Sequence, residues 1–254
     1  MKPLTLVLCL LLASVVHAQQ TVTVDDHPDD LAKKAIDVLA GPAWERARYF
    51  AFTFAVERGG QVIASFPQRW DRFTGDYRVE GLDQRGDRFL IIMNTKSKQG
   101  KAWKNGVEAT GTALAEFLDF GYKRFANDTY WLLMPLKSMD PGVKREGVGE
   151  RTDSCGRTWD VVKLTFDKDS AGGLAPGDTY WMWINRDTGI VEEWDMKVEG
   201  SNPNESPTSI YFHDYKRVGN ILISTRREVR GKNQSIRLDN VVITPDVPPG
   251  AFKK

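Results

Sequence analysis

A mainly β, single-domain fold is predicted from three observations. Apolar residues alternate with a period of two over most of the chain after Arg48; the runs are short; and turn dipeptides, most of them containing glycine, separate them. Strands at that spacing describe an antiparallel meander, because parallel βαβ units would need helical crossovers between them. At 254 residues and 41% hydrophobic content the chain can bury a sizeable core without disulfides. A formal net charge of +1 excludes wholesale disorder and a broad basic footprint, so no nucleic-acid partner is expected.

Residues 1–18 read as a signal peptide. Lys2 precedes an apolar run from Leu4 to Val16, and Val16-His17-Ala18 presents compact residues at the peptidase positions, with cleavage after Ala18. Thirteen residues at ~1.5 Å each reach only ~20 Å, short of the ~30 Å hydrocarbon core. The expectation is a periplasmic or secreted protein whose domain runs from 19 to 254. Of Cys9 and Cys155 only Cys155 survives cleavage, which excludes an intrachain disulfide and fits a bacterial periplasmic domain held by its own core.

The elements follow in order. Leu31, Ala35, Val38 and Leu39 recur at helical spacing behind Asp29 and Asp30, giving a helix over about 29–40 that Gly41-Pro42 ends. Phe50, Phe52, Phe54 and Val56 then share one strand face, and Gly59-Gly60 turns the chain into Val62, Ala64 and Phe66. Further strands are expected at about 68–73, 76–81, 88–95 and 101–104. Leu114, Phe117, Leu118, Tyr122 and Phe125 predict a second helix over about 111–126. Strands resume with Tyr130–Met134 and continue at 159–166, 180–184, 190–198, 209–215, 221–229 and 235–243. The stretches 167–178 and 200–207 read as loops.

Catalytic signatures are missing. G-x-S-x-G, H-E-x-x-H, G-x-x-x-x-G-K and G-x-G-x-x-G do not occur. His27 and His213 are the histidines left after cleavage; His213 alternates with Tyr211 and Tyr215 and is expected on their face. Glu192 and Glu193, adjacent on a strand, point to opposite faces and cannot pair as glycosidase carboxylates do. No catalytic residue, metal ligand or cofactor is assigned.

Aromatic strand faces are over-supplied instead. Tyr180, Met182 and Ile184 share one face of their strand, Trp181 and Trp183 the other, and Ile190, Trp194, Met196 and Val198 form the next apolar face. Such rings either fill a closed core or line a cavity for an apolar ligand. Phe50, Phe52, Phe54, Tyr180, Met182 and Trp194 are the candidate lining residues.

Three stretches carry a family resemblance. Tyr180-Trp-Met-Trp-Ile-Asn-Arg-Asp-Thr-Gly-Ile-Val-Glu-Glu-Trp194 resembles the LolA-type hairpin in which an aromatic strand runs into a D-x-T-G-like turn. Tyr211-Phe-His-Asp-Tyr-Lys-Arg-Val-Gly-Asn220 resembles the strand and turn that follow it, and Pro245–Phe252 the family's proline-rich ending. Asn127–Val143 is similar to a branch of secreted bacterial LolA-like proteins. The resemblance implies an incomplete antiparallel β-barrel with a few covering helices. It also implies a non-catalytic carrier of an acyl chain, lipid or lipidated protein, expected to be monomeric and to touch the membrane or envelope proteins transiently. The rival readings are a packed scaffold of the cell envelope and a hydrolase with an unfamiliar site.

Overall fold

The computed structural model describes residues 27–167 and 177–254. The signal segment and most of the 167–178 loop lie outside the described residues. Thirteen strands among those described form one antiparallel sheet: β1 (Tyr49–Arg58), β2 (Gln61–Asp71), β3 (Asp76–Leu82), β4 (Arg88–Asn94), β5 (Gln99–Lys104), β6 (Val107–Glu108), β7 (Val143–Thr152), β8 (Thr158–Phe166), β9 (Thr179–Asn185), β10 (Val191–Lys197), β11 (Thr208–Val218), β12 (Ile221–Val229) and β13 (Gln234–Thr244). Their order is β6-β5-β4-β3-β2-β1-β13-β12-β11-β10-β9-β8-β7. Every neighbouring pair is consecutive in the chain except β1 and β13, which join the two halves with Tyr49 opposite Thr244. The ends of the order, β6 and β7, do not pair, so the sheet is an incomplete barrel.

The helices cover one face of this sheet. α1 (Pro28–Leu39) packs on β7, β8 and β12; α2 (Ala43–Arg46) is a single turn; α3 (Gly111–Leu133) crosses from the β6 edge toward the β7 edge, touching β3, β4, β5 and β12 on the way. α1 starts as its sequence dictates: Pro28 occupies the first turn and His27 Nδ1 accepts the Asp29 amide at 3.3 Å. Asp29 also pairs with Arg145 of β7, which fastens the helix to the edge strand. Arg72, just beyond β2, donates to the carbonyls of Ala47 (2.8 Å) and Trp44 (2.6 Å) and holds α2 in place.

Three expectations are corrected. Tyr130–Met134 is not a strand but the end of α3 and the 3₁₀ turn after it. The run is apolar all round because the helix is buried between two core clusters: Leu132 and Leu133 face one, Met134 the other, and Trp131 packs on both. Periodicity cannot separate such a run from a strand buried on both faces. β7 had no strand signal, since Lys144, Arg145, Glu146 and Glu150 replace the apolar alternation and Gly149, at φ +100°, sits in a bulge. Charge and a bulge are how an edge strand avoids pairing with another chain. Finally, residues 61–71 form one strand through Pro67, which lies immediately before β2 engages β3 at Gln68 and so removes no ladder donor on that side.

One glycine is dictated by close approach. A Cβ on Gly100 would stand 2.2 Å from the Ile92 carbonyl oxygen and 2.6 Å from Met93 Cα, so no other residue fits where β5 crosses β4.

Candidate functional site

Strand alternation turns Phe166 of β8, Tyr180 of β9, Trp194 of β10 and Phe212 of β11 toward the helices. Their rings form a row, with centroids 5.0, 6.1 and 6.3 Å apart in that order. Arg227 of β12 continues the row, its guanidinium 4.0 Å over Phe212. It is fully buried and donates to the carbonyls of Ser224 (2.7 Å), Trp131 (2.9 Å) and Leu132 (3.4 Å). The last two carbonyls belong to the C-terminal turn of α3, the negative end of its dipole. Burial with no carboxylate partner among the described residues pushes the guanidinium down to about 10.

Above the row, α3 leaves space. Tyr130 stands over Tyr180 at 5.8 Å and over Trp194 at 6.5 Å. Beside it lies a cavity of about 470 Å³ walled by Tyr122, Phe125, Tyr130 and Trp131 of α3, Trp70 of β2, and Phe166, Tyr180 and Met196 of β8–β10. The volume is within the ~300–1,000 Å³ range of small-ligand pockets. A smaller space of about 290 Å³ shares the walls Trp131, Met196 and Val198. Of the polar groups lining the cavity, Lys137 pairs with Asp140, and the Tyr180 hydroxyl donates to Asp178 at 2.5 Å. Burial pushes the Tyr130 and Tyr180 hydroxyls up, so both stay neutral. The indole N–H of Trp70, which lines the cavity, and that of Trp194 beneath it are buried without a hydrogen-bond partner among the described residues.

A second concavity is an open groove of about 1210 Å³ at the rim formed by the β1–β2, β3–β4 and β5–β6 turns. Val62, Ile63, Phe66, Leu82, Phe89 and Phe120 line it, with Arg124 of α3 at its inner side. Arg124 stacks over Phe66 at 4.1 Å and pairs with Asp128, which also accepts from Gln68 and Asn127; Gln68 in turn accepts the Tyr77 hydroxyl at 2.5 Å.

The six candidate lining residues fall into two groups. Phe50, Phe52 and Phe54 meet in the core cluster beneath α3 with β2–β5, whereas Tyr180, Met182 and Trp194 meet in the cluster beneath α1. Each trio is brought together, but the trios are not. Tyr180 alone among them lines the cavity; the other five are at most 2% exposed and packed within the core. Sequence reasoning missed Trp70, Tyr130 and Trp131 as walls. Tyr122 and Phe125 were visible as a helical stripe, but not what the stripe faced.

A left-handed residue and a register shift changed two face assignments. Asp214, at φ +53°, breaks the alternation of β11, so His213 lies beside Tyr211 at 6.2 Å in solvent while the Tyr215 hydroxyl turns inward to the Val191 carbonyl at 2.5 Å. His213 therefore does not share a face with Tyr215. On β10 a register shift after Val191 buries Val191 and Trp194 and leaves Met196 half-buried, in place of the even alternation from Ile190. His27 is spent as a helix cap, Cys155 is exposed in a hairpin turn, and Glu192 accepts from Trp159 Nε1 at 2.8 Å and from Asn185 at 3.2 Å. Burial, and then Asp195, push the Glu193 carboxyl up. Among the described residues no three His, Cys, Asp or Glu converge as metal ligands, and no helix is long and apolar enough to cross a membrane.

No family model and no curated protein matches the chain. Solved structures do. A LolA superfamily protein from Nitrosomonas europaea superposes with a TM-score of 0.51 at 10% identity, covering 90% of this chain and 98% of that one. A DUF1329 family protein from Desulfovibrio piger gives 0.50 at 14% identity, with 90% and 98% covered. At such identities the likeness concerns the fold, which is LolA-like.

Proposed function

We propose that the protein is a non-catalytic carrier that holds a hydrophobic ligand, an acyl chain or the lipid part of a lipidated molecule, in the cavity between α3 and β8–β10. The observation that carries the reading is that cavity of about 470 Å³, walled largely by aromatic and apolar side chains. The hydrocarbon of such a ligand would cover the rings. Each buried methylene contributes ~0.8 kcal/mol, so a dozen yield ~10 kcal/mol before association costs, against the ~8 kcal/mol of a micromolar complex. Such binding needs no catalytic constellation. Tyr180 is the proposed cavity residue of the six read from the sequence; Met182 and Trp194 would support it from below. Export after cleavage at Ala18, and action as a monomer in the periplasm or outside, belong to the same proposal.

The test is uptake of a fluorescent fatty acid by the mature protein and by Ala126→Trp, since Ala126 lines the cavity from α3. An indole there covers ~150–250 Å² that the ligand can no longer bury, ~4–6 kcal/mol at 25 cal/mol/Å² as an upper bound. At least a ~100-fold loss of affinity is expected. Equal uptake by the folded variant would overturn the cavity assignment. No uptake by the wild type, with a clean apo mass in native mass spectrometry after purification without detergent, would favour a packed scaffold.

A further inference from the structure

Chain direction places all three spaces at one rim of the sheet. β1 and β13 are antiparallel with Arg58 opposite Gln234, and following the ladder outward puts the ends of β3, β5, β8, β10 and β12 on that same side. At the opposite rim α2 leads into β1, and the end of α1 meets the β9–β10 turn, where Val38 lies against Gly189. At the open rim the β1–β2 hairpin exposes Val62 and Ile63, the β3–β4 hairpin Leu82, and β6 Val107, at 49, 54, 57 and 72% of their surfaces. Phe120 of α3 joins them along the groove. A scattered exposed apolar residue needs no explanation, but several on adjacent turn tips around one groove mark a surface that meets a partner.

Charge says which partner. On the half of this rim that carries the tips, ion pairs take up all but one of the nearby carboxylates: Asp83 and Asp87 share the single Lys104 at 3.0 and 2.8 Å, Glu80 meets Arg78 at 3.0 Å, and Glu108 meets Lys101 at 3.0 Å. Arg58, Arg85 and Arg88, at the ends of the same hairpins, have no ion pair among the described residues. Three arginines without an ion pair against one excess carboxylate leave this half of the rim positive, and apolar tips beside such guanidinium groups match the interface of an anionic bilayer, where hydrocarbon accepts the tips and lipid phosphates accept the arginines. We propose that the rim carrying Val62, Ile63, Leu82 and Val107 docks on an anionic membrane surface. Docking there would present the mouths of the cavities to lipid. The inference goes beyond the carrier reading and stands on different residues.

Cosedimentation of the mature protein with vesicles tests it. Vesicles of phosphatidylethanolamine and phosphatidylglycerol at about three to one should bind the protein at about 50 mM NaCl and at least ~10-fold more weakly at about 500 mM, while phosphatidylcholine vesicles bind weakly throughout. Ile63→Asp with Leu82→Asp should weaken binding to the anionic vesicles at least ~10-fold, about 1.4 kcal/mol. Arg85→Glu with Arg88→Glu, which touches no core residue, should do the same and remove the salt dependence. No binding of the wild type to the anionic vesicles, or undiminished binding by either folded double variant, overturns the proposal. Fatty-acid uptake is measured on the same samples. Uptake without vesicle binding sinks docking alone; vesicle binding without uptake sinks the carrier reading alone.

Discussion

Removing Arg124 and Asp128 singly and together tests what the buried polar network under α3 contributes. The Asp128 side chain is wholly buried and that of Arg124 is 18% exposed, at the groove. Burial pushes the Asp128 carboxyl up even though Arg124, Asn127 and Gln68 all favour its charged form. The pair is thus costly to bury and more costly to break. Arg124→Met strands a buried carboxylate, a loss of ~3–5 kcal/mol, or ~6–20 °C in Tm at ~2–4 °C per kcal/mol for a domain of this size. Asp128→Asn leaves a guanidinium that still reaches groove water and costs ~1–2 kcal/mol. The double variant places a neutral amide beside a thioether and should lose no more than ~1–2 kcal/mol, because a buried pair exchanged whole is often near neutral. The cycle then yields a coupling of at least ~2 kcal/mol. Thermal melts followed by circular dichroism measure it at about pH 7 and about pH 5. A carboxyl raised in the folded state binds its proton more tightly folded than unfolded, so its contribution to stability is fullest at low pH and falls as pH rises through the folded value. The Arg124→Met deficit should therefore shrink on acidification. Single losses that add within ~0.5 kcal/mol, or a deficit that grows as pH falls, would refute the reasoning.

Asp71 provides the opposite sign. Burial pushes its carboxyl up, but hydrogen bonds from Arg48 and from the Phe73 and Thr74 amides outweigh that and hold it below 3.8. Its contribution is present above the ordinary carboxylate value and lost as pH falls through the lower folded one. Asp71→Asn should cost ~2 kcal/mol in urea melts at pH 7, with the gap to wild type closing only below about pH 4; a gap that closes by pH 6 contradicts the assignment. Gly100→Ala should destabilise by at least ~2 kcal/mol, since its methyl would meet the backbone of β4 rather than a movable side chain. A melting temperature within ~2 °C of wild type would mean that β5 shifts freely.

The cavity and the groove both depend on where α3 crosses. Its first half closes over β3–β5, with Gly121 so near the sheet that a Cβ would lie 3.0 Å from Ile91. Its second half is drawn to the seam by Asp128 on Gln68 and by Arg227 on the Trp131 and Leu132 carbonyls. The gap that remains toward β8–β10 is the cavity. Buried polar anchors at two points thus set the position of the helix, and that position sets the space available to a ligand.

What the sequence determined by itself was local. The alternation of Phe50, Phe52 and Phe54 and of Tyr180, Met182 and Ile184 identified inward faces correctly, because a strand's period of two depends only on its own backbone. The start and stop of α1 were legible for the same reason, in Asp29, Asp30 and Gly41. Tertiary structure decided the rest. Tyr130–Met134 became helix because two clusters bury it from both sides; Asp214 and the shift after Val191 moved side chains to faces that even alternation would not give them. Above all, pairing β1 with β13 set Phe50, Phe52 and Phe54 in one cluster and left Tyr180 facing a cavity in the other. Periodicity reports which way a residue points; whether it meets another side chain or empty space depends on an element that may be a hundred residues away, and only the folded chain brings that element into place.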